Sequence, residues 1–160
     1  MAENTFLSKL CKEPMQHIDG FEVTDQLYVD FTGASHVKDI TGTATADSAY
    51  NLANGEWFSA FKLPKGALIT ECGWVVHTTD ANNPTFALTT EGGTGGSFTL
   101  KSATAIGAQY VSVICEQTAT EIIPNDSTSC VLRVTGGTAT NDAGIVTFFV
   151  KYIIVKRQEA

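Results

Sequence analysis

Two alternating runs on either side of one corner constrain this chain more than anything else in it. Trp57 to Thr79 reads WFSAFKLPKGALITECGWVVHTT, with Leu63-Pro64-Lys65-Gly66 between two apolar-rich segments. A period of two sends successive side chains to opposite faces, so the segments read as β-strands. Proline presets φ for the second position of a tight turn and glycine suits its last. Strict alternation puts Trp57, Ser59, Phe61 and Leu63 on one face of the first strand and Phe58, Ala60 and Lys62 on the other. In the second strand it groups Leu68, Thr70, Cys72, Trp74 and Val76, with Ile69 and Val75 opposite.

The same period recurs along the chain. Gln26 to Thr32 alternates Leu27, Val29 and Phe31 against Tyr28 and Asp30. Thr85 to Thr90 carries Phe86 and Leu88 on one face, Phe98 to Leu100 resumes a strand, and Gln109 to Glu116 alternates again. Cys130 to Thr135 points Cys130, Leu132 and Val134 inward, with Arg133 on the mixed face. Ile145 to Val155 is the longest run, and Val146, Phe148, Val150, Tyr152 and Ile154 form its unbroken apolar face. Connectors such as TTDANNPT, EGGTGGS and GGTATNDAG are rich in turn formers. About eight strands with no substantial helix predict an all-β, two-sheet antiparallel β-sandwich. Varied strand lengths and long connections favour the jelly-roll type.

The chain of 160 residues suits one core. Its expected division is an N-terminal arm, 1–20, and a single sandwich domain, 21–160. In the arm, Asn4 or Thr5 caps a short helical turn carrying Phe6, Leu7 and Leu10, and Pro14 ends it. Such a turn is too short to be stable alone, so it docks either on its own body or on a neighbour. Residues 33–55 are small and polar and predict a long loop, with a short edge strand near Val37 to Thr41.

The formal charge of −7 argues against non-specific nucleic-acid binding, which needs a Lys/Arg excess. No run is long and apolar enough for a membrane-spanning helix. The first residues, MAENTFLSKLCKEP, lack the apolar core of a secretion signal, so synthesis in a cytoplasm is expected. Cys11, Cys72, Cys115 and Cys130 show no close pairing, and free buried thiols are expected there. His17, His36 and His77 are too scattered for a zinc site. No serine sits in a G-x-S-x-G pattern, and EGGTGGS lacks the Lys-Ser/Thr of a phosphate loop. The acids lie mainly in turns. Asp80 with Asn82 and Asn83 offers calcium fewer than the roughly six to eight oxygens it prefers. His77 reads as a structural histidine and Trp57 as a core aromatic. No enzymatic activity and no cofactor or metal are therefore expected.

The candidate site is instead a contact surface. Charged residues are only 17% of the chain, against roughly 25% in ordinary soluble domains. The last strand keeps Ile145, Phe149, Ile153 and Val155 on its second face, the second opening strand keeps Ile69 and Val75, and the arm offers Phe6, Leu7 and Leu10. Burying one such side chain is worth about 1.5–3 kcal/mol. These residues are expected to meet another subunit or partner, or to lie under the loop 33–55.

FKLPKGALIT, followed by the turn TTDANNPT and a closing strand GIVTFFVKYIIV in an acidic, Thr/Ala/Gly-rich chain, resembles the jelly-roll head decoration, or cement, proteins of tailed bacteriophages. The resemblance spans residues 20–155 in style. It implies assembly in a bacterial host cytoplasm, placement on the outside of an icosahedral capsid in contact with the major capsid protein, and association as homo-dimers or homo-trimers. It carries over no catalytic residues. The alternative is a tail, fibre or host-surface carbohydrate-binding sandwich, which would need Trp57, Trp74 or Tyr50 exposed for stacking.

Overall fold

The computed structural model describes residues 2–14, 22–38, 40–64, 66–92, 98–106 and 130–154. The strands are β1 (Glu22–Asp30), β2 (Trp57–Leu63), β3 (Ala67–Thr78), β4 (Thr85–Gly92), β5 (Phe98–Ala105), β6 (Cys130–Gly137) and β7 (Ile145–Ile154). One short helix, α1 (Thr5–Ser8), precedes them, and a 3₁₀ turn occupies Ser48–Tyr50. The expected strand at 109–116, residues 15–20 of the arm, and Val155 lie outside the described residues.

The strands form two antiparallel sheets, ordered β1-β7-β3 and β2-β6-β4-β5. The chain changes sheet between β1 and β2, β2 and β3, β3 and β4, and β6 and β7. The last strand thus lies between the first and third, and β6 between β2 and β4. This is the strand order of a jelly-roll sandwich. The Leu63–Gly66 segment is therefore a corner between sheets and not a hairpin. Gly66 holds φ +79 there, a left-handed value that suits glycine, and the Ala67 N–H donates to the Pro64 carbonyl at 3.3 Å.

Both opening strands depart from strict alternation. In β2 the register against β6 shifts between Ser59 and Phe61, and in β3 the register against β7 shifts between Ile69 and Glu71. Each bulge adds a residue to one strand and reverses the facing of everything beyond it. Phe58 and Phe61, predicted on opposite faces, are consequently both buried, and Lys62 stays outside. Ile69 joins Cys72, Trp74 and Val76 inside, while Thr70 is exposed. Without the bulge in β3, either Ile69 would face water or Thr70 would enter an apolar core.

The core is where the sheets are clamped. Phe148 and Trp74 from the three-stranded sheet meet Phe58 and Phe86 from the four-stranded one, and Phe31, just past β1, sits among them. The Phe86–Phe148 centroids are 5.1 Å apart and those of Trp74 and Phe86 5.5 Å, both edge-on, as aromatic quadrupoles prefer. Around them lie Leu27, Val29, Leu88, Leu132, Val134, Val146 and Val150. The even positions of β7 are all buried, as the alternation predicted. One polar pair enters this core: the Tyr152 hydroxyl donates to Asp25 Oδ2 at 3.2 Å, and burial pushes the tyrosine pKa upward.

The expectation of four free thiols is corrected at Cys72, which is disulfide-bonded; Cys11 and Cys130 are free and Cys115 lies outside the described residues. Trp57 is also corrected. It sits half-buried on the outer face of β2, and the Arg133 guanidinium lies 3.6 Å from its ring centroid.

Truncating Phe148 to alanine removes the ring that touches Phe31, Phe58 and Phe86 at once. Equilibrium urea unfolding should show a loss of about 3–5 kcal/mol. A loss under about 1 kcal/mol would mean that the two sheets are not held by this cluster.

Candidate functional site: the outer sheet face, the arm and the loop end

β7 runs between β1 and β3, so its odd positions form the middle of an outer face. Ile145, Phe149 and Ile153 all lie there, half-buried. The register sets Leu68 and Glu22 beside Ile153, Gly73 and Gln26 beside Phe149, and Val75 and Tyr28 beside Thr147. Gly73 has no side chain to cover the ring opposite it. Glu22, Thr24, Gln26 and Tyr28 expose the β1 margin. The face is a mixed stripe and not a bare apolar one. Lys151 pairs with Glu71 at 3.2 Å across its centre, and the Thr70 hydroxyl donates to Glu22 Oε2 at 3.0 Å.

Of the residues expected at a contact surface, this face brings together Val75, Ile145, Phe149 and Ile153. Ile69 does not join them: at 2% exposure it belongs to the core, because of the bulge. Leu7, fully buried, is also in the core, and Leu10 packs partly against it. Phe6 is 43% exposed.

The described arm, residues 2–14, lies along the free edge of β2. Backbone bonds join Asn4 N–H to the Trp57 carbonyl (2.7 Å), Trp57 N–H to Ala2 (3.2 Å), Lys12 N–H to Ala60 (2.9 Å) and Lys62 N–H to Lys12 (2.9 Å). Asn4 caps α1 by accepting from Leu7 N–H at 3.1 Å, and its amide donates to the Asn51 carbonyl at 2.7 Å. A four-residue helix does not hold itself, so the Leu7 plug and these bonds hold it. The arm covers an edge that would otherwise invite strand pairing. Beside it, an open cleft of about 430 Å³ is lined by Asn4, Phe6, Ser48, Asn51 and Glu56 among others.

At the loop end, three polar anchors fix long connections. Asp30 accepts from the N–H and hydroxyl of both Thr32 and Ser35, at 2.6–3.0 Å. Asp80 accepts from the N–H groups of Asn82 (2.7 Å), Asp142 (2.9 Å) and Ala143 (3.0 Å), tying the β3–β4 turn to the β6–β7 turn. Asn141 exchanges backbone bonds with the buried Leu52, pinning the far end of the loop 33–55. The Asp80 carboxylate, whose surroundings in the sequence offer too few oxygens for calcium, is committed to backbone N–H groups. Among the described residues no group of three or more His, Cys, Asp or Glu could hold a metal. The short edge strand expected near Val37 to Thr41 is reduced to a single Lys38–Ala44 bridge.

Sequence reasoning missed a row of rings that crosses this end. Phe6 touches Tyr50, Tyr50 stacks on His36 at 5.1 Å and 24°, His36 meets Tyr28, and Tyr28 meets His77. Phe6 and Tyr28, at 43% and 46% exposure, are two of the exposed large apolar residues of the described chain. His77 also bonds the Thr147 hydroxyl at 2.8 Å. The five residues come from the arm, two strands and a loop, so no local spacing announces them. Trp74 is fully buried, and one face each of Trp57 and Tyr50 is occupied by Arg133 and His36.

No family model matches the chain, and no curated protein matches it. Among solved structures, it superposes on a chain of the capsid of Ralstonia phage GP4 with a TM-score of 0.60 and 15% identity. The match covers 97% of this chain and 98% of that one. At this identity the likeness defines the fold: a jelly-roll sandwich shared from end to end with a chain of a phage capsid.

Two outcomes follow from the anchors and the arm. Burial alone would raise the Asp80 and Asp30 pKa values, but the hydrogen bonds outweigh it and hold both below the ordinary 3.8. Their contribution to stability is therefore complete above about pH 4 and is lost as pH falls through the lowered values. Asp80→Asn should cost about 1–3 kcal/mol at neutral pH and flatten part of the acid limb of a stability–pH curve. A variant with the wild-type acid limb would show that Asp80 is not one of its sources. Leu7→Ala should cost about 2–5 kcal/mol in urea unfolding, because the arm's plug is part of the core; an unchanged midpoint would mean that the arm is only a surface attachment.

Proposed function

We propose that this chain is a structural protein of a bacteriophage virion that decorates the outside of an icosahedral capsid and bridges neighbouring capsid subunits. The observation that carries the reading is the end-to-end fold match to a chain of a phage capsid, over 97% and 98% of the two lengths. Near-complete coverage on both sides means two chains of nearly equal size that share a fold. The outer face with Val75, Ile145, Phe149 and Ile153 supports it as the contact surface, joined by the exposed Phe6. In this reading the partners are the major capsid protein and further copies of the chain, as a dimer or trimer. No nucleic acid, membrane or cofactor takes part, and the role is mechanical and not catalytic. Assembly takes place in the host cytoplasm.

The physics of such a role is linkage. A subunit that binds only the intact shell shifts the equilibrium toward it by mass action. A stable contact of this kind buries about 1,200–2,000 Å² in total. Half-buried aliphatic and aromatic side chains interleaved with Lys151, Glu71 and Thr147 suit a non-obligate interface, in which apolar anchors sit among polar neighbours.

Particles assembled without the protein should package DNA but rupture at lower temperature or on osmotic shock. Unchanged particle strength with lost adsorption would point to host-surface binding instead. Phe149→Glu should leave the free protein folded, because its side chain faces outward, and should weaken attachment to purified shells at least about tenfold. Wild-type attachment by a folded Phe149→Glu protein would remove this face from the interface.

A further inference from the structure

His36 makes a bond that only one of its protonation states allows. The Phe31 N–H donates to the Gly144 carbonyl at 2.9 Å, toward β7. Neighbouring N–H groups of a strand point to opposite sides. The Asp30 N–H therefore points away from β7, to the side of β1 where no described strand pairs. His36 occupies that place: its Nε2 accepts the Asp30 N–H at 2.9 Å. A backbone N–H cannot accept, so Nε2 carries a lone pair and the proton of the neutral ring is on Nδ1.

The imidazole is also a keystone of the loop end. The His36 N–H bonds the Gly33 carbonyl at 3.0 Å, and the ring is stacked on Tyr50 and set edge-on to Tyr28. Gly33 has φ +78, and a Cβ there would stand 2.7 Å from the Asp47 carbonyl oxygen, so the turn that presents His36 is tightly determined. Among the described residues, the titratable and charged groups around the ring are few. From β1 come the Tyr28 phenol and the Asp30 carboxylate. From the 3₁₀ turn come Tyr50 and, at its N-cap, Asp47, whose carboxylate is engaged with the Ala49 N–H at 2.9 Å. From β3, His77 reaches the row only through Tyr28. The Asp30 carboxylate attracts an imidazolium but already accepts four hydrogen bonds from Thr32 and Ser35.

We propose that His36 is an acid-sensitive latch: its neutral Nε2 holds the loop that follows β1 against the strand edge, and a proton on Nε2 releases the loop and the aromatic row that rests on the ring. Protonation places an N–H against the Asp30 N–H, so the bond becomes a repulsion and the ring must leave. Burial pushes the His36 pKa below 6.5, and the Asp30 charge opposes this only in part. The latched state therefore binds the proton less readily than the released one. The latch is fully closed above about pH 6.5 and weakens as pH falls through that value toward the lowered one. The device acts in the free protein and does not depend on the capsid reading; on a particle, it would disturb the surface that carries Phe6, Tyr50 and Tyr28.

Native-state hydrogen exchange of the Asp30 amide in the isolated full-length protein tests this. Between about pH 7.5 and pH 5, the opening constant, corrected for intrinsic exchange, should rise at least about threefold in the wild type. His36→Gln, whose side-chain carbonyl accepts the same bond without titrating, should show no rise, and His77→Gln should respond like the wild type. A flat wild-type profile, or a rise shared by His36→Gln, overturns the proposal. Nitrogen shifts of the wild-type imidazole give a reading that needs no variant. They should report the Nδ1–H tautomer at neutral pH and a titration below 6.5; the other tautomer, or a pKa at or above that value, equally overturns it.

Discussion

The contact among Phe31, Phe58, Trp74, Phe86 and Phe148 is what the rest of the structure depends on. Two sheets of a sandwich share no hydrogen bonds across their inner faces, so only side-chain packing joins them. Here the joining rings come from β2, β3, β4, β7 and the residue after β1, and each touches a ring from another strand. Large rings fill the space between sheets with little loss of rotamer freedom, and their edge-on geometry adds directional preference to burial. The clamp also fixes which face of each strand is the outer one, and so where a partner can be met.

Two of the register shifts serve that clamp. Between Ser59 and Phe61, and between Ile69 and Glu71, the strands give up regular pairing so that apolar residues at the wrong parity turn inward. Several kilocalories of burial outweigh one disrupted ladder position, as expected when a bulky apolar side chain is worth about 1.5–3 kcal/mol. The same shift removes Ile69 from the outer face and leaves Val75 on it. The candidate contact surface is thus narrower than strict alternation implies, and it is concentrated on β7.

The loop end follows a different logic. Its segments are too polar to be held by burial, so carboxylates and amides accept and donate at backbone groups: Asp30 within its own turn, Asp80 across two turns, Asn4 between the arm and the loop. Leu52 and Leu7 supply one apolar plug each. A long loop and a short arm become ordered through a few saturated anchors, and the rings carried by these segments meet as a row. That row, with His36 in it, is a product of assembly and not of any one stretch.

Strand content, the inward faces of β1, β4, β6 and β7, and the sandwich class were legible in the residues, because a period of two and turn chemistry are local properties. The outward placement of Ile145, Phe149 and Ile153 was legible for the same reason: β7 is regular from end to end, so parity holds. Where parity broke, in β2 and β3, it was overruled by competition among distant side chains for the core, which no window of sequence contains. The positions of Leu7, Trp57 and His36 likewise depended on what lies beside them in space. Leu7 found a vacancy beside β2, Trp57 an arginine on the next strand, and His36 an N–H on the free edge of β1, where no described strand pairs.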